Sequence, residues 1–439
     1  MKDTPVNARV VSEVLEEVGI RPAGRASIRE LVRIVNLIEE RTGDRFVRME
    51  MGVPGLMPPS VGVEAEIAAL KNGVASKYPN IEGVASLKEE ASRFIKLFLD
   101  IDLRKEGCIP TVGSMMGGMA VFMVANRSDA ARRGTLFLDP GFPVQKQQCR
   151  ILGHEYGTFD VYDYRGEKLR EKLDRELSEG RYSSMIYSNP NNPSWICFTE
   201  EELQIIGEMA NKYDVTVIED LAYFGMDFRK DYSRPGEPPF QPTVARYTDN
   251  YVLLISSSKV FSYAGQRIGI LAISDKLFGR QYPGLKRYFS SDKFGYALIF
   301  GALYALSAGA SHAPQYGLAA MLKEVNDGKY DFLNSVKEYG EKAAIMKKIF
   351  TDNGFRIVYD YDLGEPIADG FYFTIAYPGM SGVELVEELL YYGVSAISLD
   401  ITGSTRSEGL RACVSLVDRA QFPDLEQRLA RFRSDHPVK

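Results

Sequence analysis

Histidine, cysteine and tryptophan are scarce in this chain of 439 residues, which holds three, four and one of them. His154, His312 and His436 lie far apart, so a histidine-based metal site or a Ser-His-Asp triad is poorly supplied. Cys108, Cys149, Cys197 and Cys413 show neither metal-ligand spacing nor a pairing pattern, and a reducing cytoplasm is the expected setting. Positive charge is not in excess: the net charge is −6, without the basic footprint of nucleic-acid binding. No apolar run approaches the roughly 18 residues that a membrane-spanning helix needs. Met1-Lys2-Asp3-Thr4-Pro5 lacks the apolar stretch of a secretory signal. Repeats and low-complexity segments are missing too. What is present, 45% hydrophobic and 26% charged residues, is ordinary for a globular chain, and the length favours two or three domains.

The periodicity changes along the chain. Ser27-x-x-Glu30, Ser86-x-x-Glu89 and Thr199-x-x-Glu202 each read as a capping box opening a helix. From residue 111 short apolar runs alternate with helical patterns. Strands are expected over 135–138, 184–187, 215–218, 251–255 and 268–273, with a helix opening at Gly113-Ser114-Met115. Strands separated by helices imply a mostly parallel sheet covered on both faces, which binds ligands beyond the carboxyl ends of its strands. After a largely helical stretch over 275–350, strands at 355–361, 370–375, 394–399 and 410–416 read as a second, smaller α/β domain.

The run 251–255 feeds into Ser256-Ser257-Ser258-Lys259, and Arg267 follows eight residues after the lysine. A lysine amine held at the end of a core strand can form a Schiff base with a carbonyl compound. Serine hydroxyls and a guanidinium fork suit a phosphate. The combination points to a phosphorylated aldehyde on Lys259, a description that pyridoxal phosphate fits; a solvated turn with a surface lysine is the alternative.

Other polar groups fall at the expected strand ends. Asp220 either caps a helix or holds a protonated pyridine nitrogen. Tyr223 is a core tyrosine or a donor to a ring oxygen. Asn192 serves the Asn-Pro-Asn-Asn-Pro turn or reaches that oxygen. Phe142 packs in a core or stacks on a ring. Ser114 and Met115 open a helix, whose free N–H groups suit a phosphate. Arg411 forms a surface ion pair or binds a carboxylate bidentately.

In their common order these residues resemble a fold-type I enzyme of the class I/II aminotransferase family, over most of the chain from Gly52 to Arg411. The resemblance implies a large domain with a mostly parallel, seven-stranded type of sheet plus a smaller α/β domain. It places 1–60 in an N-terminal segment shared with the small domain, 61–310 in the large cofactor domain and 311–439 in the small domain. Pyridoxal 5'-phosphate is the implied cofactor. Lys259 matches the Schiff-base lysine, and Ser114, Met115, Ser256, Ser258 and Arg267 match phosphate ligands. Asp220, Tyr223, Asn192 and Phe142 match ring contacts; Lys259, Asp220 and Tyr223 are thereby the catalytic candidates. Arg411, Asn192 and Gly52 match the substrate-carboxylate site. Tyr78 resembles the tyrosine that reaches a partner subunit's phosphate, which implies a homodimer. The implied reaction is ping-pong transfer of an amino group from an L-amino acid to a 2-oxo acid such as 2-oxoglutarate. No metal is implied.

The chain also departs from the family pattern. The usual Asn-Pro-Thr-Gly is Asn192-Pro193-Ser194-Trp195, so that loop's backbone is expected to differ. Gln266 replaces an apolar residue, and Met115 offers only its backbone. Lyases that share these motifs, such as carbon–sulfur β-lyases or aminocyclopropane-carboxylate synthases, are the alternative reading.

Overall fold

The computed structural model describes residues 3–438. Met1 and Lys2, which begin the N-terminal stretch considered above, and Lys439 lie outside them. The chain forms two compact units. The larger comprises Leu56–Asn191 and Cys197–Val336; the smaller draws its described residues from Met1–Gly55, Asn192–Ile196 and Lys337–Lys439.

Among its described residues the larger unit holds a seven-stranded sheet. Its spatial order is Cys108–Thr111, Gly269–Ile273, Tyr251–Ser256, Thr216–Leu221, Tyr182–Ser188, Gly134–Asp139 and Tyr156–Asp160. Gly269–Ile273 runs antiparallel to both neighbours, and the remaining pairs are parallel. Thr216–Leu221, Tyr251–Ser256 and Gly269–Ile273 are buried along their whole length, as the continuous apolar runs of a sheet covered on both faces require. Helix Gly113–Ser128 and the helical stretch 294–303 lay Phe122, Val124, Phe294 and Leu298 in one core with Phe137, Ile186, Ile218 and Val252 from the strands. A separate aromatic cluster joins Phe94 to Phe224, with ring centroids 4.9 Å apart, and both to Phe332. Tyr156–Asp160 is not among the strands expected from the sequence. It is a half-exposed edge strand of mixed Tyr-Gly-Thr-Phe-Asp composition, without a strand-like run.

The register decides where the site lies. Ser188 pairs with Asp220, and Ser256 and Thr111 both pair with Gly269. The turns that follow Thr111, Asp139, Ser188, Leu221 and Ser256, and the one that precedes Gly269, therefore leave the sheet at a single edge.

Two local expectations change. Ser27 and Glu30, and Thr199 and Glu202, form reciprocal capping boxes. Ser86 and Glu89 do not: helix Ala85–Leu99 starts two residues earlier than a Ser86 cap requires, so Ser86 lies inside its first turn and no side chain caps it. The expected boundary at 311 also moves. Helix His312–Asn326 packs on Ser60–Lys71 and Ala85–Leu99 and belongs to the larger unit, because Leu318, Met321, Leu322 and Val325 bury its face there.

Among its described residues the smaller unit has a four-stranded antiparallel sheet in the order Ile397–Ser398, Leu410–Cys413, Tyr372–Ala376 and Arg356–Ile357. The apolar run 394–399 is divided between sheets: Val394–Ser395 pairs with Val47–Arg48, and Ile397–Ser398 with Leu410–Cys413. No helix among the described residues is long and apolar enough to cross a membrane.

Candidate active site

In the larger unit, Lys259 follows strand Tyr251–Ser256 in a turn braced on itself. The Ser257 hydroxyl donates to the carbonyl of Ile268 at 2.6 Å, and the Ser258 N–H donates to Ser256 Oγ at 3.1 Å. Such bracing holds the lysine, half-buried, at a defined place. Arg267 ends the turn in the left-handed region, with φ +51°. Its guanidinium lies against Gly113, where a Cβ would come within 2.6 Å of Nη2. Gly113 also has φ +68°, so it meets both a conformational and a spatial demand that glycine satisfies. The helix that begins at Gly113 has no side-chain cap, so its first N–H groups, at Ser114 and Met115 among others, are donors for an anion.

Asp220 closes strand Thr216–Leu221 and is buried. Its carboxylate accepts from the Gln145 side-chain amide at 2.9 Å and from the Ala222 N–H at 3.2 Å. No cationic side chain among the described residues pairs with it, and burial pushes its pKa up to about 6. A buried carboxylate without a counter-charge is costly, and a ligand carrying a proton on a ring nitrogen would supply that counter-charge. Tyr223, also buried, follows three residues later. Phe142 is half-buried at the N-cap of helix Pro143–Ile151.

Gln145 lies on the helix that Phe142 caps. It does not stand out in the sequence, where one amide among several glutamines carries no signal. Gln148, one turn on, donates to the Met115 carbonyl at 2.9 Å and so ties this helix to the first turn at Gly113. Tyr78 is 92% exposed. A lysine amine, an uncapped helix start, serine hydroxyls, an arginine and an unpaired buried carboxylate at one sheet edge form a donor set that fits a phosphorylated pyridine aldehyde.

The smaller unit brings together Asn192, Gly52 and Arg411. Arg411 is only 2% exposed. It donates to the Glu50 carbonyl at 2.7 Å and to Asn192 Oδ1 at 3.3 Å, and it lies 4.5 Å above the centre of the Tyr372 ring. Its Nε–H is buried without an acceptor, and no carboxylate among the described residues pairs with it. The Glu50 carboxylate is itself held by Arg48 at 2.8 Å and Ser395 at 2.6 Å. Gly52 leaves room for the Tyr372 hydroxyl, which a Cβ there would strike. A guanidinium so buried and so incompletely paired is suited to a ligand carboxylate.

Trp195 belongs to this unit as well. It is fully buried, and its ring sits 6.2 Å from that of Tyr372 at 69°. Its φ of +65° is in the left-handed region that favours glycine. Holding a non-glycine residue there costs about 1–2 kcal/mol, whereas burying an indole contributes roughly 4–6 kcal/mol at 25 cal/mol per Å². Burial therefore wins, and the bulky residue keeps a glycine-like backbone.

Comparison with known proteins matches the family model "Aminotransferase class I and II" over residues 46–429. The chain belongs to this aminotransferase family. Its reaction class is that of a transaminase, and the family generally uses pyridoxal phosphate. A probable aspartate aminotransferase of Methanocaldococcus jannaschii is 23% identical over 69% of this chain and 82% of its own length. A glutamate-pyruvate aminotransferase of Escherichia coli is 26% identical over 58% of this chain and 60% of its own. An alanine aminotransferase structure from Pyrococcus furiosus superposes with a TM-score of 0.74 at 17% identity, covering 95% of this aminotransferase and 99% of that chain. A mutant aspartate aminotransferase of Thermus thermophilus gives 0.73 at 17% identity, covering 94% and 98%. At such identities the structural likeness establishes the fold-type I architecture.

Proposed function

We propose that this chain is a pyridoxal phosphate-dependent transaminase that moves an amino group from an L-amino acid to a 2-oxo acid, 2-oxoglutarate being the acceptor, by a ping-pong mechanism. The observation that carries the reading is Asp220: a buried carboxylate that no cationic side chain among the described residues meets, at the same sheet edge as Lys259 and the uncapped helix at Gly113. When bound, the cofactor supplies a cationic ring that draws electrons from the substrate's Cα–H bond.

The chain's own residues do the rest. Ser256, Ser258, Arg267 and the N–H groups of Ser114 and Met115 hold the phosphate. Asp220 keeps the proton on the ring nitrogen, with Gln145 orienting the carboxylate. Phe142 stacks on the ring, and Tyr223 and Asn192 donate to its oxygen. Lys259 Nζ takes the proton from Cα and returns it on the other side of the exchange as general base and acid. Arg411, with Asn192 and Gly52, holds the substrate's α-carboxylate. Tyr78 serves the phosphate of a second copy in a homodimer. The exposure of Tyr78, and of Tyr296, Phe300 and Tyr304 along one helical stretch, supports that assembly. The cytoplasm is the proposed location.

The test is an absorbance spectrum of the purified protein with pyridoxal phosphate, followed by single amino acids without acceptor. Stable conversion of the cofactor band by a donor amino acid, with release of its 2-oxo acid, is expected. Recovery of the band with pyruvate and ammonia in solution would mean a lyase instead. No visible band after adding the cofactor would overturn the reading of Lys259.

A further inference from the structure

Trp195 is the one tryptophan of the chain, and it is buried with its backbone in the left-handed region that favours glycine. It occupies the space that any side chain at residue 370 would need: a Cβ on Gly370 would collide with the indole. Its ring meets Tyr372 nearly edge-on, and the face of Tyr372 carries the Arg411 guanidinium. Tyr372 stands two positions from Arg411 across the strand pair, because Thr374 is the residue directly opposite Arg411. Diagonal neighbours of this kind are within reach of long side chains. At its far end the Tyr372 hydroxyl fills the space that Gly52 leaves open. The tyrosine ring is thus confined at its edge, at its tip and on one face.

We infer that Trp195 and Tyr372 are positioning residues for substrate-carboxylate binding: the indole fixes the Tyr372 ring, and the ring fixes the plane of the Arg411 guanidinium before substrate arrives. The inference rests on the reading of Arg411 as the carboxylate anchor. Trp195 is fully buried, so its proposed role acts through Tyr372. A guanidinium already held over an aromatic ring, here 4.5 Å from its centre, gives up little further rotamer freedom when a carboxylate meets it, so the pairing favours a carboxylate over a neutral group. The left-handed backbone at Trp195 is the local cost of placing the indole there.

Because no other tryptophan is present, the emission of Trp195 reports directly on this cluster. Propionate carries a carboxylate and no amino group; propionamide is its neutral counterpart. With the cofactor-saturated protein, propionate shifts the emission saturably and propionamide does not. Tyr372→Leu raises KM for the donor amino acid and the competitive inhibition constant of propionate about five- to tenfold, the order expected for a lost cation–π contact. Its kcat and cofactor absorbance maximum stay within twofold and unshifted. Tyr372→Phe, which keeps the ring, stays near wild type. Trp195→Phe raises both constants in the same direction.

If Tyr372→Leu and Trp195→Phe leave both constants unchanged while Arg411→Leu raises them, the positioning role is wrong and the anchor stands. Should Arg411→Leu leave the propionate constant unchanged, the anchor itself is wrong, and the inference falls with it. Where Trp195→Phe fails to fold, the Tyr372 pair and the wild-type emission titration still decide the matter.

Discussion

Replacing Asp220 by asparagine should make the cofactor-free protein more stable in a pH-dependent way while removing most of its activity. Burial raises the Asp220 pKa to about 6, from about 3.8 in the unfolded chain. Between those values the folded state holds a proton that the unfolded state has released, so stability falls as pH rises. The full difference corresponds to roughly 3 kcal/mol. At pH 5 about half of that cost is already present, and by pH 8 all of it is; the remaining change is roughly 1 kcal/mol. Asparagine carries no charge at either pH and offers one oxygen, so it loses one of the two contacts to Gln145 and Ala222, at about 1 kcal/mol.

Urea denaturation of wild type and Asp220→Asn at pH 5 and pH 8 measures the difference directly. Glu219, which burial pushes up to about 7, and Asp139, pushed up to about 6, titrate in both proteins and cancel. The variant's relative stability should improve by roughly 1 kcal/mol between pH 5 and pH 8. Transaminase turnover should fall by about 10²- to 10³-fold, the order lost with one preorganised electrostatic group. A stability difference independent of pH would refute the reasoning, because it would mean that Asp220 meets a counter-charge in the folded chain.

Three further outcomes are expected. Lys259→Ala abolishes turnover and the absorbance band formed with pyridoxal phosphate; an unchanged visible spectrum would remove the lysine from the reaction. Gly113→Ala must move the Arg267 guanidinium and accept φ +68°, so the cofactor dissociation constant, read by equilibrium dialysis, rises about tenfold and stability drops by about 1 kcal/mol. His154 is pushed down to about 4, first by burial and then by the charge of Arg127. The folded protein therefore resists protonating it while the unfolded chain does not, and stability is lost as pH falls from 6.5 towards 4. His154→Gln flattens that acid limb by about 1 kcal/mol, after allowing for the partly exposed ring, and urea midpoints across that range measure it.

Local chemistry makes much of this aminotransferase legible in its amino-acid order. Apolar runs of four to six residues, ending in Asp139-Pro140, Asn189-Pro190, Glu219-Asp220 or Ser256-Ser257, identify buried strands and the turns that leave them, because a covered strand needs an unbroken apolar stretch and a turn needs its special residues. The capping boxes at Ser27 and Thr199 are equally local, since the helix start lies within three residues of both partners. Lys259 and Arg267 are legible for the same reason: they share one short turn.

What the sequence leaves undecided depends on partners distant along the chain. Whether Ser86 caps a helix is settled by where packing starts that helix, two residues earlier. Which sheet receives each half of 394–399 depends on Val47 and Leu410. That Gln145 meets Asp220, that Arg267 lies on Gly113, and that Arg411 sits over the Tyr372 ring with Trp195 beside it are pairings across tens to hundreds of residues. Residue type alone does not specify them, because an amide, a glycine or a tryptophan has many possible neighbours. Close packing in three dimensions selects one, and that selection turns separate side chains into a site.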